Sequence, residues 1–143
     1  AGNYVGPVRD VARFTHDLYN KAEPRIVSAS SQALLTNFSA PGPFGKLFKF
    51  YGMGTFSLDW SVGNAEAYGH VGDTYGYQSQ TTYFPGSDFV LTVATNVETF
   101  SQAQPADFTC LAYHAVLDVL NGARPKTCNF TVPRRFIGKC TCE

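Results

Sequence analysis

The chain has 143 residues, with 11 Lys and Arg against 11 Asp and Glu, a formal net charge of zero, 44% apolar residues and 15% charged ones. That length and balance fit one globular domain with a real core and exclude a disordered segment. Zero net charge gives no steering toward nucleic acid or an anionic membrane surface, and no apolar run reaches the roughly 18 residues of a membrane span. The chain begins at Ala1 with neither Met nor a leader pattern, so it is expected to be processed, cut or truncated.

In chain order, Val8 to Asn20 reads as a helix, with Val8, Val11, Ala12, Leu18 and Tyr19 on one stripe, Pro7 at its start and Pro24 beyond its end. Ser28 to Thr36 reads as a second, short helix with serines available as caps. Ala40-Pro41-Gly42-Pro43 is a loop by composition, and Phe44 to Trp60 suggests one or two aromatic strands kinked near Tyr51-Gly52-Met53-Gly54. Val62-Gly63-Asn64-Ala65 is a turn. Three strands follow as a meander, starting near Ala67, Gln78 and Asp88, with Pro85-Gly86-Ser87 as the last tight turn. Gln104 to Leu120 reads as an amphipathic helix. Phe108, Leu111, Ala112, Ala115, Val116 and Val119 are the face expected to pack on the sheet. These elements predict an α+β fold with an antiparallel sheet and a packed C-terminal helix. Residues 122–143 form a Cys-containing tail without a clear period.

Cys110, Cys128, Cys140 and Cys142 read as a disulfide framework of a secreted chain, with Cys110 bonded into the tail. Four cysteines allow three pairings. Cys110–Cys128 is reachable because the chain turns at Asn121-Gly122, Cys140 or Cys142 could substitute, and Cys140 with Cys142 is geometrically poor. A zinc site from Cys110, His114 and Cys140-x-Cys142 is the competing reading, disfavoured because no paired C-x-x-C is present. No metal or cofactor is expected. Asn37-Phe38-Ser39 and Asn129-Phe130-Thr131 fit the N-glycosylation pattern, which agrees with the secretory pathway.

The most informative run is Tyr68-Gly69-His70-Val71-Gly72-Asp73-Thr74-Tyr75-Gly76-Tyr77. Gly within a strand marks a bulge, or a place where another backbone or a ligand comes close. With Gln78–Gly86 and Phe89–Asn96 behind it, this run resembles the third active-site motif and last two strands of the serine β-lactamase-related hydrolases: class C β-lactamases, D-alanyl-D-alanine peptidases and esterase relatives. His70-Val71-Gly72 takes the place of Lys-Thr-Gly, where many of those relatives carry His-x-Gly. Val8-Arg9-Asp10-Val11-Ala12-Arg13-Phe14, after Ala1–Val5, looks like the family's "DLARF" helix; Ile26 to Thr36 is similar to the helix that follows, and Tyr51-Gly52-Met53-Gly54 to its "YGLGW" strand.

The resemblance spans residues 1–121 and implies the C-terminal part of a β-lactamase/transpeptidase-like domain. Neither Ser-x-x-Lys nor Tyr-x-Asn occurs in the chain. It therefore implies an upstream segment of the same precursor, attached or supplied as a second chain, that carries the nucleophile. The implied function is a serine hydrolase of peptidase, esterase or transacylase type acting on a small acyl or peptide substrate. In that reading the Asp73 N–H is an oxyanion donor, His70 lines the cleft, Gly72 lets the acyl group approach, and Tyr75 and Tyr77 line the groove or simply pack on the sheet. Asp73 and Tyr75 depart from the pattern, and a carboxylate facing an oxyanion would oppose the charge to be stabilised. The alternative is a secreted, non-catalytic binding or structural protein that keeps the fold. His16 and His114 fall on helices and read as surface or packing residues.

Overall fold

A computed structural model describes residues 5–41, 50–132 and 138–143. The expected Ala1–Tyr4 segment, the Gly42-Pro43 part of the loop and the first part of the aromatic stretch lie outside the described residues. Helix α1 is Val8–Tyr19, entered from Pro7, and α2 is Ala29–Leu35, capped by Ser28, whose side chain accepts from the Ser31 N–H. Six strands follow: β1 Ala40–Pro41, β2 Phe50–Tyr51, β3 Phe56–Ser57, β4 Tyr68–Thr74, β5 Tyr77–Phe84 and β6 Phe89–Thr95. Each pairs antiparallel with the next, in chain order. A 3₁₀ turn at Asp59–Val62 ends on left-handed Gly63 and leads into β4. A second, at Phe100–Gln102, leads into α3, Ala103–Leu120.

The sheet carries a layer on each face. On one, Tyr19 of α1 meets Tyr68 and Tyr83 of the sheet, with Leu18, Leu35, Phe38 and Val90 around them. Burial pushes all three phenols above their ordinary value. On the other, α3 covers Phe56, Val71 and Phe84 with Ala106, Cys110 and Tyr113. The Tyr113 ring stacks on Phe84 at 4.5 Å between centroids, a favoured aromatic separation.

The buried stripe of α3 differs from the expected one. Ala106, Thr109, Cys110 and Tyr113 face inward, whereas Phe108, Leu111 and Val119 are 50%, 41% and 62% exposed. The helix is apolar nearly all round, so hydrophobic spacing alone does not pick a side; the Cys110 bridge and the Phe84–Tyr113 stack do. The N-terminal half of α1 behaves similarly, with Val8, Val11 and Phe14 exposed while Thr15 and Tyr19 are buried.

The tail also has regular structure that the sequence did not announce. Strands β7, Cys128–Thr131, and β8, Lys139–Cys142, form an antiparallel hairpin. Alternation along β7 sends Cys128 and Phe130 inward and Asn129 outward. Phe130 packs on Trp60 at 5.5 Å, and its N–H donates to Asp107 of α3 at 2.7 Å. Cys110 bonds to Cys140, and Cys128 to Cys142. Cys110 is thus tied into the tail as expected, through Cys140 rather than Cys128, because β7–β8 pairing places Cys128 directly opposite Cys142. Two disulfides are consistent with an extracellular setting. No helix among the described residues is long and apolar enough to cross a membrane.

His114 lies half-buried where α3 meets the tail and the Gly63 turn, its ring edge-on to Tyr113 at 5.0 Å. Burial lowers its pKa from the ordinary 6.5; Asp118 and a hydrogen bond with the Val62 backbone oppose the shift, and Lys126 adds to it. A base whose pKa is depressed on folding binds fewer protons folded than unfolded. Its contribution to stability is whole above about pH 6.5 and is lost as pH falls toward the lower, folded value. Urea midpoints should therefore drop between about pH 7.5 and about pH 5, and the drop should shrink in His114→Gln. An undiminished drop in the variant contradicts the assignment.

Candidate functional site

Tyr75 and Gly76 join β4 to β5 with φ of 41° and 85°. This is the primed two-residue turn whose twist matches the flanking strands. Thr74 opposite Tyr77 closes it, and the register then runs Asp73–Gln78, Gly72–Ser79, Val71–Gln80 and His70–Thr81. Antiparallel pairs alternate between hydrogen-bonded and open. Thr74, Gly72 and His70 therefore exchange bonds with β5, while the backbone groups of Asp73 and Val71 point the other way. On that other side β3 pairs only with Tyr68 and Gly69. Among the described residues, no strand covers the Val71 and Asp73 backbone. Among those residues the Asp73 N–H is thus a donor on an open strand edge.

His70 stands on this edge, exposed. Its Nδ1 lies 2.6 Å from the Val71 carbonyl oxygen. Because that oxygen only accepts, Nδ1 carries the proton, and in the neutral ring Nε2 is the acceptor. Nε2 lies 3.4 Å from the Tyr51 hydroxyl, and the ring packs against Phe56 at 4.9 Å. His70 thereby caps one open carbonyl, and the next open group along β4 is the Asp73 N–H. Tyr51 was visible in the sequence only as part of a strand, and its place beside His70 follows from β2–β3 pairing.

The Asp73 side chain is exposed, and its Oδ2 accepts from Gln78 Nε2 at 3.3 Å. The carboxylate thus leans over β5, away from the direction of its own N–H. Gln78 is 2% exposed and is bonded on both amide atoms. Its Oε1 accepts from the Thr99 N–H and hydroxyl at 2.9 and 2.8 Å, and its Nε2 also donates to the Thr99 carbonyl at 2.8 Å. Gln78 therefore ties the loop before α3 to the end of β4.

The two interior glycines differ. A Cβ on Gly69 would meet the Thr81 carbonyl oxygen at 2.0 Å, so another backbone demands that glycine. A Cβ on Gly72 would meet only the Ser79 side chain, its hydroxyl at 2.5 Å and its Cβ at 3.8 Å. Tyr75 and Tyr77 are 97% and 63% exposed at the hairpin end, so neither packs into the core. His16 is on α1, 3.3 Å from Asp88 and edge-on to Tyr83. A ring nitrogen of His114 lies near the Cys128 and Cys142 sulfurs, all within 4.8 Å, but both sulfurs belong to the bridge between them. Asn37 and Asn129 are exposed. A cavity of about 330 Å³ lies at the Tyr68 end of β4, lined by Lys21, Phe38, Asp59 and Glu66 among others, and does not include His70 or Asp73.

Comparison with protein-family models, with curated proteins and with solved structures finds no match in any of the three.

Proposed function

We propose that this chain is the C-terminal part of a secreted, N-glycosylated serine hydrolase related to the β-lactamases, working through an acyl-enzyme. The observation that carries the reading is the Asp73 N–H beside His70, preceded by Gly72 and left uncovered by any strand among the described residues. A serine from an upstream segment attacks the substrate carbonyl carbon while a base on that segment takes the hydroxyl proton. The carbonyl π electrons become an oxyanion, held by the Asp73 N–H and one further donor. The oxyanion collapses, the bond to the leaving group breaks and the leaving group takes a proton. Water then hydrolyses the acyl ester. His70 lines the cleft with its Nε2 beside the Tyr51 hydroxyl, Gly72 leaves room for the acyl group, and Tyr75 and Tyr77 border the groove.

Two open surfaces support an upstream partner. Strand β6 pairs only with β5 among the described residues, which leaves a seven-residue sheet edge. Beside it, α3 presents Phe108, Leu111 and Val119 outward. Such an apolar face is a docking surface or an aggregation hazard. The reading of a non-catalytic binding or structural protein is favoured by one observation, the exposed Asp73 carboxylate next to the donor.

Treating native material with a fluorophosphonate or a β-lactam and mapping the label separates the two. Label on a serine of an upstream Ser-x-x-Lys supports the hydrolase; no label, with that motif missing, supports the other. In the labelled protein, His70→Ala should cut turnover about 10²- to 10⁴-fold if the ring moves the leaving group's proton. Its thermal midpoint should stay put, because the ring is exposed. Unchanged turnover removes His70 from the chemistry.

A further inference from the structure

Two consecutive non-glycine residues, Ser101 and Gln102, hold left-handed backbone, with φ of 53° and 58°. That conformation costs free energy for an L residue and persists only where the surroundings enforce it. Its consequence is the position of one side chain. Gln102 is 3% exposed, and its Nε2 donates to the Gly72 carbonyl oxygen at 2.9 Å across 30 residues of sequence. The amide orientation is fixed by chemistry, because a carbonyl oxygen needs a donor opposite it.

The Gly72 carbonyl and the Asp73 N–H belong to one peptide unit. A trans peptide is planar, with C=O and N–H pointing in opposite directions. The Gly72 oxygen points toward β5 and Gln102; the Asp73 hydrogen therefore points out from the open edge. A second bond on that oxygen restrains rotation of the whole plane at a strand end where pairing to β3 has already stopped. Gln78 braces the same place from the side, through Asp73 and Thr99.

We propose that Gln102 is a positioning residue: it holds the Gly72–Asp73 peptide plane so that the Asp73 N–H is aimed at the oxyanion, a role that rests on the acyl-transfer reading above. It touches neither substrate nor nucleophile. Its donor hydrogen is what matters, not its bulk.

The experiment uses the complete precursor, with fluorophosphonate labelling rate and ester turnover measured across pH. Gln102→Met keeps length and removes the donor. It should label about 10- to 100-fold more slowly, the scale of a small misplacement of a catalytic group, and the loss should fall on kcat rather than KM. Gln102→Glu should be equally slow at neutral pH and recover at acid pH, where its protonated carboxyl donates to the Gly72 oxygen; the unaltered protein has no such acid recovery. Should Gln102→Met fail to fold, Gln102→Glu carries the test through that pH profile. Labelling of Gln102→Met at the unaltered rate, or a Gln102→Glu profile parallel to that of the unaltered protein, overturns the proposal and leaves the hydrolase standing. An unaltered precursor that does not label overturns the hydrolase and this role with it.

Discussion

Replacing Gly69 with Ala is expected to cost about 3 kcal/mol, the upper end of what overpacking costs, and to damage the site as well as the fold. The added methyl would sit 2.0 Å from the Thr81 carbonyl oxygen and 3.2 Å from the Thr82 Cα. These are backbone atoms of the neighbouring strand, which no rotamer change can move. Strands β4 and β5 would have to part near the Tyr68 end of their ladder, next to the His70–Thr81 pair. Gly72→Ala is the control. Its methyl meets the Ser79 hydroxyl, a group that can rotate, so a cost under about 1 kcal/mol is expected. Urea denaturation of both variants compares the two. Equal losses would mean that Gly69 is not held by the close approach of the two strands.

The second large effect concerns the covalent frame. Cys110→Ala opens a bridge spanning 30 residues, and loop entropy alone puts the loss at about 3–4 kcal/mol. Opening Cys128–Cys142, which spans 14 residues, should cost about 3 kcal/mol on the same basis. The physical gap between the two is wider than those figures. The first bridge ties α3 to the tail, and Cys110 is fully buried beside Ala106 and Tyr113. The second joins residues that β7–β8 pairing already holds opposite each other. Urea midpoints of Cys110→Ala and of Cys142→Ala should therefore rank in that order, and the reverse ranking would contradict the role given to Cys110. In Cys110→Ala, Trp60 should also report the change, because its partner Phe130 sits on the released hairpin.

The meander and the two N-terminal helices were readable mainly from the punctuation at their ends, Pro7 and Pro24 around α1, Ser28 before α2 and tight turns between the strands. Pro85-Gly86-Ser87 and Val62-Gly63-Asn64 marked turns that the structure contains, with the Ser87 N–H donating to Phe84 at 3.2 Å and Gly63 left-handed. The buried side of α3 was not readable. Phe108, Leu111 and Val119 are as apolar as the residues that pack, and only the partners Phe84 and Cys140 choose between the stripes. The hairpin of the tail was hidden because four-residue strands carry too little period, although Cys128 and Phe130 do alternate with Asn129 and Thr131. At the site, the glycines and His70 announced themselves by being out of place in a strand. Gln102 did not, because a glutamine in a loop has no signature; its meaning comes from left-handed backbone and a bond to a residue 30 positions away.

Where an oxyanion sits relative to β4 decides whether the Asp73 N–H takes part in acyl transfer, and a structure of the complete precursor after reaction with a fluorophosphonate reads that directly. With the phosphorus bonded to the upstream serine, the phosphoryl oxygen should lie about 2.7–3.1 Å from the Asp73 nitrogen, with the Asp73 carboxylate still leaning toward Gln78 and His70 at the mouth of the cleft. A phosphoryl oxygen turned away from β4, or a label on a serine remote from it, would contradict the account.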